Sequence, residues 1–554
     1  MTAILGLKLT HDAAVALIVD GVLQFSVELE KVANGPRYAK CSSLREIDSV
    51  LHSFGWSWDD VNATVIDGWK RSTIPQWGLS VAPYHEHDGA LLPLLQTETV
   101  SGTSFKNAFS YRHVAGHVIG SYVASPYAQH GEPAYCITWD GGLQPRAHKI
   151  DPATGSVEFI GTLFELYGII YGIMGHYFGP YKKSAIYELS SINAETIINN
   201  GWFGGYDIPG KLMSYIALGH VSQRLLSIID KAYAQAEIVL RHNPNHLSYN
   251  QTGVPEHDMC RFIRSHVVDE RDADVLATIH FFLERLLVTR ATRAMPAGSN
   301  LIFTGGSALN IKWNTALRET GHFKDVFVPP FPNDCGSAIG AAACHAWAGG
   351  SRSLAWDVYS GPALIHNRLS GWSKVTCSPT ELGQLLAERK DEMIVTLHGR
   401  AELGPRSLGH RSLLMSPELP SNQPRLNRAK NRESFRPVAP LCLEHRAQEI
   451  FSPGKPDPWM LFDHEVREEW GHRIPAVVHV DGTARLQTIN KEQCPVTTEI
   501  IESYCERTGV PVLCNTSANL PGCGFFPDVA SAQRWAQDAG VQRVWADGSL
   551  WSKA

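Results

Sequence analysis

The chain has 554 residues, 44% hydrophobic and 19% charged, and at roughly 150 residues per domain that length suggests three or four domain equivalents with a sizeable core. Its 49 Lys and Arg against 55 Asp and Glu give a formal net charge of -6, which excludes a global attraction for nucleic-acid backbone or anionic membrane, so any anion must be held in a local basic pocket. Eleven cysteines without paired close spacings argue against a disulfide framework and for a reducing cytoplasm, and the most apolar stretches, Leu166 to Gly175 and Ala338 to Ala348, fall short of the ~20 residues of a membrane span.

Three runs of β-branched and apolar residues open the chain: Ala3 to Leu9, Ala13 to Val19 and Val22 to Leu29. Met1 to Lys8 carries no basic leader. The Asp20-Gly21 pair between the second and third runs is a hairpin signal, so the spacing predicts a three-strand meander. His11-Asp12 falls at a strand end and reads equally as a general base entering a cleft or as an aspartate closing a turn. His85, His87 and Asp88 lie in a polar stretch without periodicity, read as a solvated loop. His113 and His117 stand four apart, so on a helix both imidazoles project from one face; alone, the pair reads more readily as two histidines packing there than as metal ligands. Two strand-like runs then end in glycine turns, Ala134 to Trp139 before Asp140-Gly141-Gly142 and Asn300 to Phe303 before Thr304-Gly305-Gly306-Ser307. Ala273 to Ala294 has helical spacing, with Asp272 and Asp274 near its start. Beyond Gly336 a run of small residues predicts a tightly packed helix, and Gly349-Gly350-Ser351 is the first linker, placing the main boundary near 350. Further strand-like runs, Met393 to Leu397, Ala476 to Val480 and Val510 to Leu513, alternate with polar helices in an α/β or α+β pattern.

Carboxylates at turn positions, Asp140 and Asp334, strengthen the metal reading of the histidine pair: two imidazoles and two carboxylates suit iron(II), manganese or zinc. The glycine turns offer backbone N–H groups to a phosphate or a ribose, although neither alone specifies a nucleotide. In the second half, HGRAELGPRSLGHRS brings Arg400, Arg406 and Arg411 among glycines, and RAKNRESFRP adds Arg428, Lys430, Arg432 and Arg436. These cations are interleaved with Gly, Pro and Phe435 rather than with Glu at helical spacing, which favours an anion pocket over a solvated face. Arg485 and the run Asn515-Thr516-Ser517-Ala518-Asn519 add a further cation, hydroxyls and amides.

Together these residues resemble the O-carbamoyltransferases of antibiotic biosynthesis, the family of the tobramycin, cephem and nodulation-type carbamoyltransferases. The resemblance runs nearly end to end through HDAAVAL (11–17), HVAGH (113–117), DGG (140–142), TGGSALN (304–310), NDCGSAIGAA (333–342), GRAELGPRSLGHRS (399–412), NRAKNRESFRPVAP (427–440), HVDGTARLQT (479–488) and NTSAN (515–519). It implies an α/β protein of two domains: an N-terminal actin-like (ribonuclease H-like duplicated) domain over 1–350 that binds metal and transfers the carbamoyl group, and a C-terminal YrdC-like twisted α/β domain over 351–554. The latter would form carbamoyl adenylate from carbamoyl phosphate and ATP, releasing pyrophosphate. The acceptor would be a hydroxyl of an antibiotic-like small molecule, with no membrane or nucleic-acid partner; a homodimer is compatible. The same resemblance implies His113, His117, Asp140 and Asp334 as ligands of an iron(II)-type ion, His11 as base, and Lys430 and Arg406 as catalytic cations. Arg436, Arg485, Asn515, Ser517, Gly141, Gly142, Gly305, Gly306 and Asn310 would bind carbamoyl phosphate and the Mg-bound nucleotide. Ala518 and LPGCGFFPD depart from the family pattern, as does Glu28-Leu29-Glu30-Lys31, and acceptor choice is expected from 195–260 and Trp56 to Trp77.

Overall fold

The first three apolar runs pair as the meander the Asp20-Gly21 turn predicts: β1 (Ala3–Lys8), β2 (Ala14–Val19) and β3 (Val22–Glu28) are consecutively antiparallel. Asp20 and Gly21 have φ of 47° and 80°, the paired left-handed conformations that match a two-residue hairpin to strand twist. This computed structural model describes residues 2–68, 108–183, 206–242 and 254–553, with two-residue strands at 94–95, 99–100 and 103–104. The stretch holding His85, His87 and Asp88, residues 69–77 of the Trp-rich segment and parts of 195–260 lie outside the described residues. Two compact units are formed, one from Met1–His130 with Pro329–Ala554 and the other from Gly131–Val328.

In the first unit β4 (Ala63–Gly68) runs parallel to β1, and β5 (Ala108–Arg112) parallel to β4, giving the order β3-β2-β1-β4-β5 with the short strand Leu94–Leu95 at the edge. Every residue of β1, β2 and β4 is buried, as expected of strands covered on both faces. α1 (His113–Val123) leaves the end of β5 directly. In the second unit β6 (Ala134–Thr138), β7 (Arg146–Asp151) and β8 (Ser156–Thr162) form another antiparallel meander. α2 (Asp272–Ala294) precedes β9 (Asn300–Thr304), which pairs parallel to β6 and to β10 (Asp325–Phe327), so the order is β8-β7-β6-β9-β10. The two units thus repeat one strand order and one pattern of directions.

α3 (Ser337–Ala348) lies on β1 and against α1. Small residues permit backbone-to-backbone approach: a Cβ on Gly340 would stand 2.3 Å from the Gly116 carbonyl oxygen, and one on Gly6 would stand 1.9 Å from that of Ala338. This seam places the start of α3 beside the start of α1. Gly340→Ala is therefore expected to destabilise the fold by about 1–3 kcal/mol through a contact neither backbone can relax; denaturant unfolding checks it, and an unchanged midpoint would contradict it.

The rest of the first unit carries an eight-stranded sheet drawn wholly from Trp372 to Lys553. Its strands are β11 (Trp372–Thr376), β12 (Ile394–Leu397), β13 (Arg411–Met415), β14 (Ala439–Leu443), β15 (Gln487–Ile489), β16 (Val512–Ser517), β17 (Arg543–Ala546) and β18 (Ser549–Lys553). The order is β11-β18-β17-β12-β13-β16-β14-β15, with β12–β17 and β14–β15 parallel and the other pairs antiparallel. Its core runs from Leu364 to Trp551. One expectation is corrected here: Ala476 to Val480 is no strand but begins in a 3-10 turn, Pro475–Val477. Pro475 brings no ladder N–H, and the Ala476 N–H bonds the Pro417 carbonyl instead.

Candidate functional site

Parallel strands bring their carboxyl ends to one edge, the usual place for ligands in an open α/β sheet. Lys8 ends β1, Asp67 lies at the end of β4 and His113 follows β5, so three neighbouring strands deliver three polar groups there. Asp334 arrives from the turn that opens α3. Lys8 Nζ lies 2.8 Å from Asp67 Oδ2 and 2.7 Å from Asp334 Oδ2, with all three side chains buried. His113 donates Nδ1–H to Asp67 at 3.0 Å, which turns its Nε2 toward His117 Nε2 at 3.0 Å and Asp334 Oδ1 at 3.3 Å. His117 Nε2 is 3.6 Å from the same Asp334 oxygen. His11 Nε2 is 3.6 Å from Asp334 Oδ2, while its Nδ1 is 2.9 Å from Asp12 Oδ2. Asp12 takes φ of 56° to hold that pairing.

Two imidazole nitrogens at such a distance share either a proton or a cation. Burial alone would lower His113, but the Asp67 and Asp334 carboxylates hold it up at about 9. Burial would likewise raise Asp67, yet His113 and Lys8 keep it down at about 2. Lys8, His113 and His11 hold Asp334 well below the usual carboxylate range despite its burial. One ligand atom each from His113, His117 and Asp334 lies within 4.8 Å of the others, and Asp67 stands behind His113 as the carboxylate that fixes a metal-binding imidazole's tautomer. Nitrogen, nitrogen and oxygen donors so backed fit a divalent first-row transition ion.

Asp140 belongs to the second unit, just past β6, where its Oδ1 accepts the Gly306 N–H at 2.6 Å. Gly305 has φ of 88°, and a Cβ there would meet the Trp139 carbonyl oxygen at 2.4 Å, so only glycine closes this turn at the end of β9. Gly141 and Gly142 form the turn after β6. The Asn310 side-chain oxygen accepts from Lys312 and Trp313 N–H, capping the helix Ile311–Glu319.

The second constellation lies on the eight-stranded sheet. Lys430 follows a short helix, Asn422–Ala429, and its buried Nζ donates to Ser517 O at 2.8 Å, Asn519 O at 2.8 Å and Asn519 Oδ1 at 2.6 Å. Arg432 reaches Thr516 Oγ1 at 2.5 Å. Burial first, then the charges of Arg436, Arg485 and Arg37, push Arg432 down to about 9. Burial with Arg436 and Arg37 pushes Arg406 down to about 10, and burial with Arg406 and Arg436 puts Arg485 well below its ordinary value. Lys430 is lowered likewise by burial, Arg432 and Arg37. Six cations therefore feel one another, and the carboxylates acting on them are Asp457, which opposes the lowering of Arg406 and Arg485, and Glu433, 3.7 Å from Arg436. Mutual repulsion of that kind is relieved by a polyanion. Arg485 Nε and Arg432 Nε are buried without a hydrogen-bond partner among the described residues.

The other cations of these segments do structural work. Arg411 donates to the carbonyls of His398, His410 and Gly399, Arg400 to those of Gly361, Gln24 and Ser360, and Arg428 is exposed. Asn515 donates its amide to Ser407 O and Gln487 Oε1, tying β16 to the loop before β13 and to β15, and Ser517 Oγ donates to Asn519 Oδ1. A second histidine group, His398, His410 and Cys494, is closed by local bonds: Thr497 Oγ1 lies 3.0 Å from His398 Nε2 and 3.3 Å from Cys494 Sγ, and His410 donates to Arg400 O. Sequence reasoning missed Lys8, Asp67 and Arg37. Lys8 and Asp67 end apolar strands, a position that marks ligand groups once the parallel pairing is known; Arg37 carries no local signal.

Residues 3–344 match the carbamoyltransferase N-terminus family model and residues 384–553 the carbamoyltransferase C-terminus model. Among curated proteins, nodulation protein U of Sinorhizobium fredii is 43% identical, over 99% of this chain and 98% of its own length. Nodulation protein U of Rhizobium tropici is also 43% identical, over 99% and 96%. The 3'-hydroxymethylcephem-O-carbamoyltransferase of Streptomyces clavuligerus is 29% identical, over 99% and 98%.

Proposed function

The chain belongs to the carbamoyltransferase family, and from that premise we propose that it is an ATP-dependent O-carbamoyltransferase working in two half-reactions. The observation that supports this reading is the group of six mutually repelling cations around Arg406 and Arg485, whose repulsion more than one bound anion would relieve. In balance, carbamoyl phosphate, ATP and water give carbamoyl adenylate, phosphate and pyrophosphate. Two polyanions must approach for this, and fixed guanidinium and ammonium groups offset their repulsion without reorganising as charge moves. Lys430 and Arg406 are the catalytic cations; Arg436, Arg485, Asn515 and Ser517 complete the binding set, with Mg on the nucleotide.

The domain that performs this step would be YrdC-like and span 351–554, in keeping with a sheet and core drawn from those residues. Residues 1–350 would form an actin-like transfer domain, a reading supported by the strand order its two halves repeat. There Gly141, Gly142, Gly305, Gly306 and Asn310 would receive the nucleotide end of the adenylate at the strand ends. A divalent ion of the iron(II) type, held by His113, His117, Asp334 and Asp140, would act as a Lewis acid toward the carbamoyl carbonyl or the acceptor oxygen. His11, oriented through Asp12, takes the proton of the attacking hydroxyl. Asp67 and Lys8 hold His113 and Asp334 in place. The acceptor would be a small antibiotic-like molecule bearing a hydroxyl. None of the described helices is long and apolar enough to cross a membrane, and eleven free thiols accord with a reducing cytoplasm.

Pyrophosphate release is the test. The protein with ATP, magnesium and carbamoyl phosphate is expected to release pyrophosphate without acceptor; no release in the presence of iron(II) would overturn the reading.

A further inference from the structure

The segment from Glu28 to Arg37 leaves the first sheet and grips two loops of the C-terminal half. Lys31 Nζ pairs with Glu28 Oε2 at 2.8 Å and donates to Glu402 O at 2.6 Å and Gly404 O at 2.8 Å, while Glu28 Oε1 accepts the Gly404 N–H at 2.8 Å. These bonds fix the turn two residues ahead of Arg406. Further on, Pro36 bridges to Cys523, the Arg37 N–H donates to Gly522 O at 2.8 Å and Gly35 O accepts from Gly524. The approach is close, since a Cβ on Gly524 would stand 2.1 Å from Glu30 O. This second loop follows Asn519, one of the acceptors of Lys430. The Cys523 carbonyl accepts from Asn519 Nδ2 at 3.0 Å and lies 3.5 Å from Arg37 Nε, so the Arg37 side chain stands one carbonyl from the Lys430 cradle.

The backbone around Arg37 is strained: Ala33, Asn34 and Tyr38 have φ of 53°, 57° and 60°, conformations that persist where surrounding contacts over-determine them. We infer that Arg37 binds the anionic substrate in the pocket of Arg406 and Lys430, so that the adenylate-forming site is composite and requires the N-terminal segment. This inference rests on the adenylation reading and adds a residue that the C-terminal half alone lacks. Its charge already reaches three members of the pocket, Arg406, Lys430 and Arg432. The ligand class is a phosphoanhydride or acyl phosphate, which a guanidinium meets with two parallel hydrogen bonds.

The experiment titrates inorganic pyrophosphate into the full-length protein and into R37Q and R37K, with unfolding midpoints measured alongside. R37Q should bind about tenfold or more weakly and R37K within about threefold of the parent, and KM for carbamoyl phosphate in pyrophosphate release should rise in R37Q more than kcat falls. Unchanged pyrophosphate affinity in R37Q overturns the inference while leaving the adenylation reading intact. Equal losses in R37Q and R37K, with lowered midpoints in both, also overturn it, because the role would then be docking. A parent protein that fails to bind pyrophosphate at all would sink the adenylation reading itself.

Discussion

Lys430→Ala is expected to lower the rate of pyrophosphate release by roughly two to three orders of magnitude, because it removes a fixed buried charge that acts through its field, its three N–H groups being given to Ser517 and Asn519. Lys430 is buried at 5% exposure and fixed by three oxygens of the 517–519 turn. The substitution therefore removes a positioned cation from a group of mutually repelling charges and leaves three acceptors without their donor. The second effect costs stability, on the order of 1–3 kcal/mol, so unfolding is measured beside the rate. A variant that folds and releases pyrophosphate within about twofold of the parent would remove Lys430 from the site.

Asp334→Asn should have the opposite distribution: carbamoyl transfer to acceptor falls at least roughly hundredfold, since even outer-shell carboxylates of metal sites cost ten- to hundredfold, while pyrophosphate release stays near the parent rate. Asp334 faces His113, His117, Lys8 and His11 at 2.7 to 3.6 Å. The amide keeps its shape and loses its charge. Lys8 retains Asp67 at 2.8 Å, so the buried ammonium is not stranded. Elemental analysis for iron and mass spectrometry of the acceptor read the two consequences separately, and parallel loss of both half-reactions would contradict their assignment to separate sites.

Local signals in the sequence identify the elements that local chemistry determines. The Asp20-Gly21 hairpin, the helix expected over 273–294 and the i, i+4 spacing of His113 and His117 each depend on neighbours within a few residues, and each is found, the helix starting at Asp272. The gathering of Arg406, Lys430, Arg436 and Arg485 into one basic group was expected from cations interleaved with Gly, Pro and Phe435, and their charges act on one another in the fold. Sorting them from Arg400 and Arg411 was not legible, because that depends on which carbonyls the fold brings within reach. Asp67 reaches His113 through the parallel pairing of β4 with β5, and Lys8 reaches Asp67 through that of β1 with β4, both long-range choices. Pro475 shows the limit from the other side: an apolar run with strand-like composition turns instead, since the proline brings no N–H.

The most direct measurement traps the shared intermediate. The Asp334→Asn protein is mixed with ATP and carbon-labelled carbamoyl phosphate, quenched in acid within seconds and examined by mass spectrometry. Labelled carbamoyl adenylate should accumulate toward one equivalent per chain and discharge slowly. Intact ATP in both the variant and the parent, while the parent still carbamoylates its acceptor, would show that the group moves without adenylation and would contradict the account.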